Sequence, residues 1–354
     1  MDSRNVKEKW PTPERLLNRL DINGKPPKIF MWDGNRSQGK SFNTNKYFLE
    51  RWLKDKAKQF LILFRYSYEI TSAHEIFDDI IAMYHAGDIM ETKVIVKSLY
   101  YGLYYNGELC GFATALSTCD KLKKYSASFR LVSAIIFDEY QSETGTYIPK
   151  EIQKLQSIHM TIARGGGKRV RYVPVFMMSN CVTLLNPYYV EFDIHKRVKK
   201  DTKFLRGDGW VLWLNLDENA KKDAMENSLA SVFKKSNYLA FASENKYLVD
   251  DEVFIDEPKG KSDYLMTIIS DGKYYSMRKY ENGVLYFSNG YDKFFPVKLA
   301  AKIKDHRSGT QLLTPNMYLV KVLKEYYYAG LIRFDNIESK YVCFDILAID
   351  MYAA

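Results

Sequence analysis

The stretch "KIFMWDGNRSQGKSF", residues 28–42, joins a short apolar run to a glycine-containing loop. The loop fits the pattern GxxxxGK[ST] in full, with Gly34 followed after four residues by Gly39, Lys40 and Ser41. In such a loop, backbone N–H groups surround phosphate oxygens, the lysine reaches the β- and γ-phosphates, and the hydroxyl binds Mg²⁺. The stretch therefore predicts a phosphate-binding loop, and its alternative is a chance match on a glycine turn.

The surroundings of the loop favour the phosphate-binding interpretation. The apolar run at residues 28–32 predicts a strand, and the recurrence of apolar residues over 41–58 predicts an amphipathic helix. A helix that begins directly after the loop directs its free N–H groups at the bound anion. We expect nucleotide contacts from Gly34, Asn35, Arg36, Ser37, Gln38, Gly39, Lys40 and Ser41.

A second apolar run, "LVSAIIFDEY" at residues 131–140, predicts a buried strand that ends in two carboxylates. Open α/β sheets bind their ligands at the carboxyl ends of the strands. We expect Asp138 to hold Mg²⁺ together with Ser41, and Glu139 to orient and deprotonate the attacking water. The adjacent glutamate favours an ATPase, and the sequence has no [NT]KxD guanine signature, so ATP is the expected nucleotide.

A third strand is predicted at residues 171–180, "RYVPVFMMSN", and it ends in Ser179 and Asn180. Asn180 could contact the γ-phosphate, although a plain strand-end turn explains this pair equally well. Some P-loop ATPases have an extra strand between the P-loop strand and the Asp-Glu strand. The run "LILFRY", residues 61–66, is our candidate for it.

The alternation of predicted strands and helices indicates an α/β fold with a mostly parallel, helix-covered sheet over residues 1–217. Residues 218–246 are polar with a weakly amphipathic centre and are interpreted as a helical linker. Short strands and turns followed by helices then predict a small α+β domain over 247–354.

Composition limits the function classes. Lysine and arginine exceed aspartate and glutamate by 52 to 43, a net charge of +9 that is compatible with a polyanionic partner. The apolar runs are of strand length, so no membrane partner is expected. The charged start "MDSRNVKEKW" is not typical of a signal peptide, which suggests an intracellular protein. The four cysteines lie far apart and predict buried thiols and no zinc site.

Several stretches together resemble the DNA-packaging motor ATPases of phi29-like bacteriophages, which are encapsidation proteins. The resemblance spans most of the chain and rests on "QFLILFRYSYE" (59–69), "SAIIFDEYQSETGTYIP" (133–149), "TIARGGGKRVRY" (161–172), "MMSNCVTLLNPYYV" (177–190) and "GLIRFDN" (330–336). These are P-loop ATPases of the ASCE class, related to terminases and to FtsK/HerA translocases. The resemblance implies an ATPase domain, a helical linker and a small domain with a degenerate RNase H-like fold.

The resemblance also implies partners and a location. The subunits would form a homo-oligomeric ring, usually a pentamer, on the capsid portal or connector, and would move double-stranded DNA in the host cytoplasm. A structural packaging RNA is a further partner in this family. Phosphate contacts suit a motor that accepts every sequence, and the candidate residues are Lys54, Lys56, Lys58, Lys121, Lys123 and Lys124.

Two roles across the subunit interface are carried over from the family. The arginine finger, which stabilises charge on the transferring phosphoryl group, falls on Arg164, although Arg164 could instead cap its helix. Arg169 and Arg171 remain competitors because this chain departs from the family pattern here. A lysine that acts across the interface falls on Lys123 or Lys124, and an ordinary solvated basic loop is the alternative.

The expected function is ATP-driven translocation of double-stranded viral DNA into a procapsid. One alternative is a terminase large subunit with an active nuclease, and another is a cellular FtsK/HerA-type translocase. The nuclease needs carboxylates around paired metals. The strand candidate "YLMTIIS", residues 264–270, contains none, and Asp271 comes only in the turn after it. The C-terminal domain is therefore expected to lack nuclease activity.

Overall fold

The computed structural model of the chain describes residues 12–34, 38–142, 146–164, 169–181, 184, 186–198, 202–215 and 255–349. These residues fall into two units, one from 1–182 and 201–245 and the other from 183–200 and 246–354. Residues 183–200, which the sequence analysis includes in the first domain, are thus grouped with the second unit. The predicted linker 218–246 and the loop residues Asn35, Arg36 and Ser37 lie outside the described residues.

The first unit is built on a mostly parallel sheet, as the sequence predicts. Nine of the described strands form it in the order β3-β4-β5-β2-β6-β7-β1-β9-β8. Six neighbouring strands of this order, β5, β2, β6, β7, β1 and β9, pair in parallel with one another. At one edge of the sheet, β4 pairs antiparallel with β5 and β3 with β4, and at the other edge β8 pairs antiparallel with β9. The strands are β1 (Ile29–Gly34), β2 (Gln59–Phe64), β3 (Met90–Val96), β4 (Tyr100–Tyr105), β5 (Glu108–Ala115), β6 (Val132–Asp138), β7 (Val175–Asn180), β8 (Phe204–Gly207) and β9 (Trp210–Asn215).

Helices and 3₁₀ segments accompany this sheet. The 3₁₀ segments cover Ser67–Phe77, Leu116–Thr118 and Lys123–Phe129. The α-helices are α1 (Pro13–Leu17), α2 (Lys40–Lys54), α3 (Asp78–Tyr84), α4 (Cys119–Leu122) and α5 (Glu151–Ala163).

Aromatic packing fixes α2 against the centre of the sheet. Phe30 of β1 and Phe176 of β7 are paired in register, and their rings stack with centroids 4.8 Å apart. Phe48 of α2 meets Phe176 edge-on at 5.0 Å. All three side chains are buried. The helix that follows the loop is therefore anchored on the two strands that border the predicted site.

The lateral order of the strands differs from the prediction that the run "LILFRY" lies between the P-loop strand and the Asp-Glu strand. The strand between β1 and β6 is β7, whereas the run "LILFRY" forms the end of β2 on the far side of β6. The prediction for that run is wrong because crossover connections decide lateral order, and the local apolar pattern reports only that a strand is buried.

The second unit has its own mixed sheet, in the order β14-β13-β10-β11-β12-β15. Strands β10, β11 and β12 pair antiparallel, and β13, β14 and β15 are added in parallel. The elements are α6 (Pro187–Glu191), β10 (Ser262–Ser270), β11 (Lys273–Tyr280), β12 (Leu285–Ser288), β13 (Lys298–Ala300), β14 (Gln311–Leu312), α7 (Tyr318–Tyr328), β15 (Ile332–Phe334) and α8 (Ile337–Leu347).

The segment after α6 is attached to this second unit by polar contacts with α8. Lys196 forms an ion pair of 2.8 Å with Asp345, and buried His195 lies 3.4 Å from the same carboxylate. In both described units, each helix is too short or too polar to cross a lipid bilayer.

Candidate nucleotide-binding site

The loop between β1 and α2 has the backbone geometry that a phosphate loop needs. Gly39 directly precedes α2 with φ of 66°, a left-handed conformation that glycine adopts without steric cost. At Gly34 a side chain would not fit, because a β-carbon there would lie 2.3 Å from Oε1 of Gln38 and 2.4 Å from the Asn215 carbonyl oxygen. The sequence places glycine where the chain turns and where the backbone is most crowded.

Lys40 is buried at the first turn of α2. Its Nζ donates to the carbonyl oxygen of Gly34 and to Oδ1 of Asn180, both at 3.3 Å. Burial lowers the pKa of Lys40, and the carboxylates of Asp33 and Asp138 oppose that shift. The ammonium group is thus compensated by two carboxylates at the carboxyl ends of β1 and β6.

Ser41 and Asp138 meet beside this lysine. The side chain of Ser41 hydrogen-bonds that of Asp138, the last residue of β6. Burial raises the pKa of Asp138, and the bonds from Ser41 and from the N–H of Glu139 oppose the shift. A hydroxyl and a carboxylate side by side are the oxygen ligands that Mg²⁺ takes next to a bound triphosphate, so the residues present fit this ion.

Glu139 follows β6 with an exposed side chain. Its φ is 54°, in the left-handed region that a residue with a β-carbon seldom adopts. The N–H of Glu139 donates to Oδ1 of Asp138 at 3.0 Å, and its carbonyl oxygen accepts from Nη1 of Arg65 at 3.2 Å. The predicted base therefore occupies a sharp turn directly after the predicted metal ligand.

Asn180 lies at the end of the strand between β1 and β6. In register it faces Gly34 of β1, and its side chain accepts from Lys40. Asn180 thus contacts the lysine of the predicted phosphate loop, whereas Ser179, one residue earlier, is buried. The neighbouring Cys181 is also buried, and burial raises the pKa of its thiol well above the usual value.

The arginines after α5 differ in their environments. The guanidinium of Arg171 donates to the carbonyl oxygens of Ile162, Val132 and Phe129 at 2.6, 2.8 and 2.9 Å. Arg171, rather than Arg164, thus satisfies a C-terminal carbonyl of α5. Arg164 and Arg169 are exposed.

The backbone closes the loop that carries these arginines. The N–H of Arg171 donates to the carbonyl oxygen of Ala163 at 2.8 Å, so the two ends of the loop meet. Lys123 and Lys124 are likewise exposed, and Lys123 lies 3.9 Å from Asp120. In the described part of the chain, neither Arg164 nor Lys123 bonds to Lys40, Ser41, Asp138 or Asn180.

Sequence reasoning missed five buried polar residues that surround the Glu139 turn. They lie at the ends of β1 and β2, directly after Glu139 and at the start of α5: Asp33, Arg65, Tyr140, Gln141 and Glu151. The available signal was a charged residue at the end of an apolar strand, as in "MWDG" and "LFRY". The pattern could not tell which partners these charges have.

Comparisons with known proteins identify a family and several relatives. A family model described as Podovirus DNA encapsidation protein (Gp16) matches residues 18–351. The DNA packaging protein of Bacillus phage phi29 is 24% identical over 333 residues, which cover 91% of this chain and 96% of that relative. The DNA packaging protein of Bacillus phage B103 is 24% identical over 310 residues, covering 86% and 91%.

Solved structures share the fold. The bacteriophage Phi-29 viral genome packaging motor assembly is similar with a TM-score of 0.56 at 23% identity, covering 97% of this chain and 99% of the other. The Phi-28 gp11 DNA packaging motor is similar with a TM-score of 0.54 at 17% identity, covering 97% and 98%. Each comparison spans both units.

Proposed function

We propose that this chain, which belongs to the podovirus DNA encapsidation protein (Gp16) family, hydrolyses ATP to drive double-stranded viral DNA into a procapsid. Viral DNA packaging is the function of its relatives. ATP as the fuel, Mg²⁺ as the cofactor and a ring as the working assembly are the further parts of the proposal.

The observation that supports ATP hydrolysis best is the convergence of four side chains at the carboxyl ends of three adjacent strands. Lys40 follows β1, Asn180 ends β7, and Asp138 ends β6 with Ser41 bonded to it. These side chains come from residues up to 140 positions apart in the sequence.

The chemistry follows from these groups. Lys40 would hold the β- and γ-phosphates, and Asn180 would contact the γ-phosphate. Mg²⁺, held by Ser41 and Asp138, would neutralise charge on the phosphate oxygens. Glu139 would orient the attacking water and accept its proton.

We further propose that the site is completed by a neighbouring subunit in a ring, as in the family. Arg164 is exposed on a loop whose ends are joined, and it is not engaged in capping α5. These features suit an arginine finger, with exposed Arg169 as the competitor. Exposed Lys123 or Lys124 would act across the same interface.

The second unit is proposed to be an RNase H-like scaffold without nuclease activity. The three antiparallel strands followed by parallel additions support the fold. The carboxylate of Asp271 contacts Lys302 and Lys304, both at 2.5 Å, and these lysines lower its pKa to about 2. Glu338 is likewise paired with Lys273. The charges of these two carboxylates are thus compensated by lysine ammonium groups.

The remaining partners and divisions of the chain are also proposals. The partners are double-stranded DNA, the capsid portal or connector, and a structural packaging RNA, in a ring that would be a pentamer in the host cytoplasm. The domains are proposed as 1–217, the linker 218–246 and 247–354.

Among the candidate DNA-binding lysines, Lys56 is the weakest because it pairs with Glu108 at 2.6 Å and lies over the ring of Trp52.

Two assays on the purified full-length chain test this proposal. ATP turnover is measured with and without double-stranded DNA, and the same DNA is incubated with the protein in Mg²⁺ or Mn²⁺ to detect nicks. The proposal predicts ATP turnover and intact DNA. Nicking that is lost in an Asp271→Ala variant would favour a terminase with an active nuclease, and absent turnover would exclude a motor.

A further inference from the structure

The turn that carries Glu139 has an unfavourable backbone conformation. A left-handed φ such as the 54° of Glu139 costs free energy and persists only where surrounding contacts hold it. The turn is also exposed at the Glu139 side chain, so packing of that side chain does not explain the geometry. The contacts that hold it are made by the main chain of Glu139 and by the two residues that follow.

One set of contacts comes from the strand that leads into the P-loop. Asp33 of β1 is fully buried, and its Oδ2 accepts from the hydroxyl of Tyr140 at 2.5 Å and from Nε2 of Gln141 at 3.0 Å. Both donors are also buried.

A second set comes from the end of β2. Arg65, which is 9% exposed, donates from Nη1 to the carbonyl oxygen of Glu139 at 3.2 Å and from Nη2 to that of Tyr140 at 2.6 Å. Its remaining edge binds the buried carboxylate of Glu151, with Nε 3.2 and 3.3 Å from the two oxygens. A planar guanidinium can make these contacts at once, and an ammonium group cannot.

The contacts of Asp33 and those of Arg65 hold different parts of the same turn. Arg65 holds main-chain carbonyls, and Asp33 holds a side-chain hydroxyl one residue after Glu139. Asp33 itself precedes Gly34, the first glycine of the phosphate loop. The same buried carboxylate is therefore tied both to the start of the loop and to the turn that carries the proposed base.

We propose that Asp33, through Tyr140, and Arg65, oriented by Glu151, are positioning residues that hold Glu139 in the orientation needed for hydrolysis. The inference rests on the proposed role of Glu139 as the base. Loosening either contact should leave phosphate binding by Lys40 in place while lowering turnover, because a misplaced catalytic group affects the transition state more than the bound nucleotide.

The experiment compares two conservative variants, Tyr140→Phe and Arg65→Lys, in the full-length chain. We expect the turnover number to fall about 10- to 100-fold, as is typical when a catalytic group is displaced by a fraction of an ångström to an ångström. The dissociation constant for ATP, measured by titration with a fluorescent nucleotide, should change by less than about threefold.

A matched control removes a part-buried tyrosine–aspartate hydrogen bond made by another strand of the same sheet. The hydroxyl of Tyr105 on β4 donates to Asp88, so Tyr105→Phe removes an equivalent contact away from the turn. We expect wild-type turnover from this variant. Thermal unfolding is measured for all variants to identify any that do not fold. If Arg65→Lys does not fold, Tyr140→Phe alone tests the inference.

The outcomes separate this inference from the proposed function. If the wild type hydrolyses ATP and Glu139→Gln does not, but folded Tyr140→Phe turns over at the wild-type rate, the positioning inference is wrong and the function stands. A loss of ATP affinity that matches the loss of turnover also overturns it. If Glu139→Gln is fully active, the proposed base itself is wrong.

Discussion

At the scale of single residues, Lys40 has the most demanding environment in the site. A buried ammonium group needs nearby compensation, and Asp33 and Asp138 supply negative charge while Gly34 and Asn180 accept hydrogen bonds. A bound triphosphate would offer the same lysine a stronger partner. Glu139, by contrast, is exposed and is held by its backbone. Substitutions of Lys40 and Glu139 should therefore have different effects on binding and turnover.

The first prediction concerns this difference. Lys40→Ala should weaken ATP binding by about 10- to 100-fold, because a hydrogen bond to a charged group contributes roughly 1.5–3 kcal/mol. Glu139→Gln should bind ATP within about threefold of the wild type yet lose about 10²- to 10⁴-fold in turnover, since the amide keeps the shape and removes only the base. Nucleotide titration and phosphate release measure the two effects.

Lys46→Ala is a suitable control because Lys46 lies on the same helix and forms a surface pair of 3.3 Å with Glu50. It should retain both binding and turnover. Hydrolysis by Glu139→Gln at close to the wild-type rate would remove Glu139 from the mechanism.

At the scale of elements, α5 connects two parts of the proposed mechanism. Glu151, at its first turn, binds the Arg65 that holds the Glu139 turn, and Arg164 follows its last residue. Thirteen helical residues span about 20 Å at 1.5 Å per residue. A single rigid helix thus links a subunit's own proposed base to the arginine that would enter its neighbour's site.

The second prediction tests the role of Arg164 between subunits. Arg164→Ala and Glu139→Gln should each be inactive alone, and mixing them should restore part of the turnover. At an interface between the two variants, the Arg164→Ala subunit can supply an intact pocket and the Glu139→Gln subunit an intact Arg164. An arginine finger contributes about 10³–10⁵ to the rate of hydrolysis. ATP turnover is measured across mixing ratios under conditions in which rings assemble.

Arg169→Ala provides the comparison, because Arg169 is exposed on the same loop. It should be active without mixing. If no ratio of Arg164→Ala and Glu139→Gln recovers activity in rings shown to exchange subunits, the finger is a different residue.

The elements also show what a sequence can predict. The strands β1, β6 and β7 and the helix α2 were predicted close to their observed ranges, because each has a clear apolar pattern. The lateral position of β2 was wrong, since apolar runs do not encode neighbours. The contacts of Asp33 and Arg65 could not be predicted either, because they join residues 74 to 108 positions apart.

At the scale of the whole molecule, the chain combines a proposed nucleotide site in one unit with a second unit in which Asp271 and Glu338 are paired with lysines. The net charge of +9 suits a polyanionic partner. We assign the proposed energy conversion to the first unit alone. ATP hydrolysis there should be required for DNA to enter a procapsid.

The most direct test measures the amount of double-stranded DNA that procapsids protect from DNase. Procapsids and the cognate genome are incubated with the wild-type chain, with ATP or without it, and in parallel with Glu139→Gln and ATP. We expect protected DNA only with the wild-type chain and ATP. Equal protection with Glu139→Gln, or protection by the wild-type chain without ATP, would contradict the claim that hydrolysis at this site drives packaging.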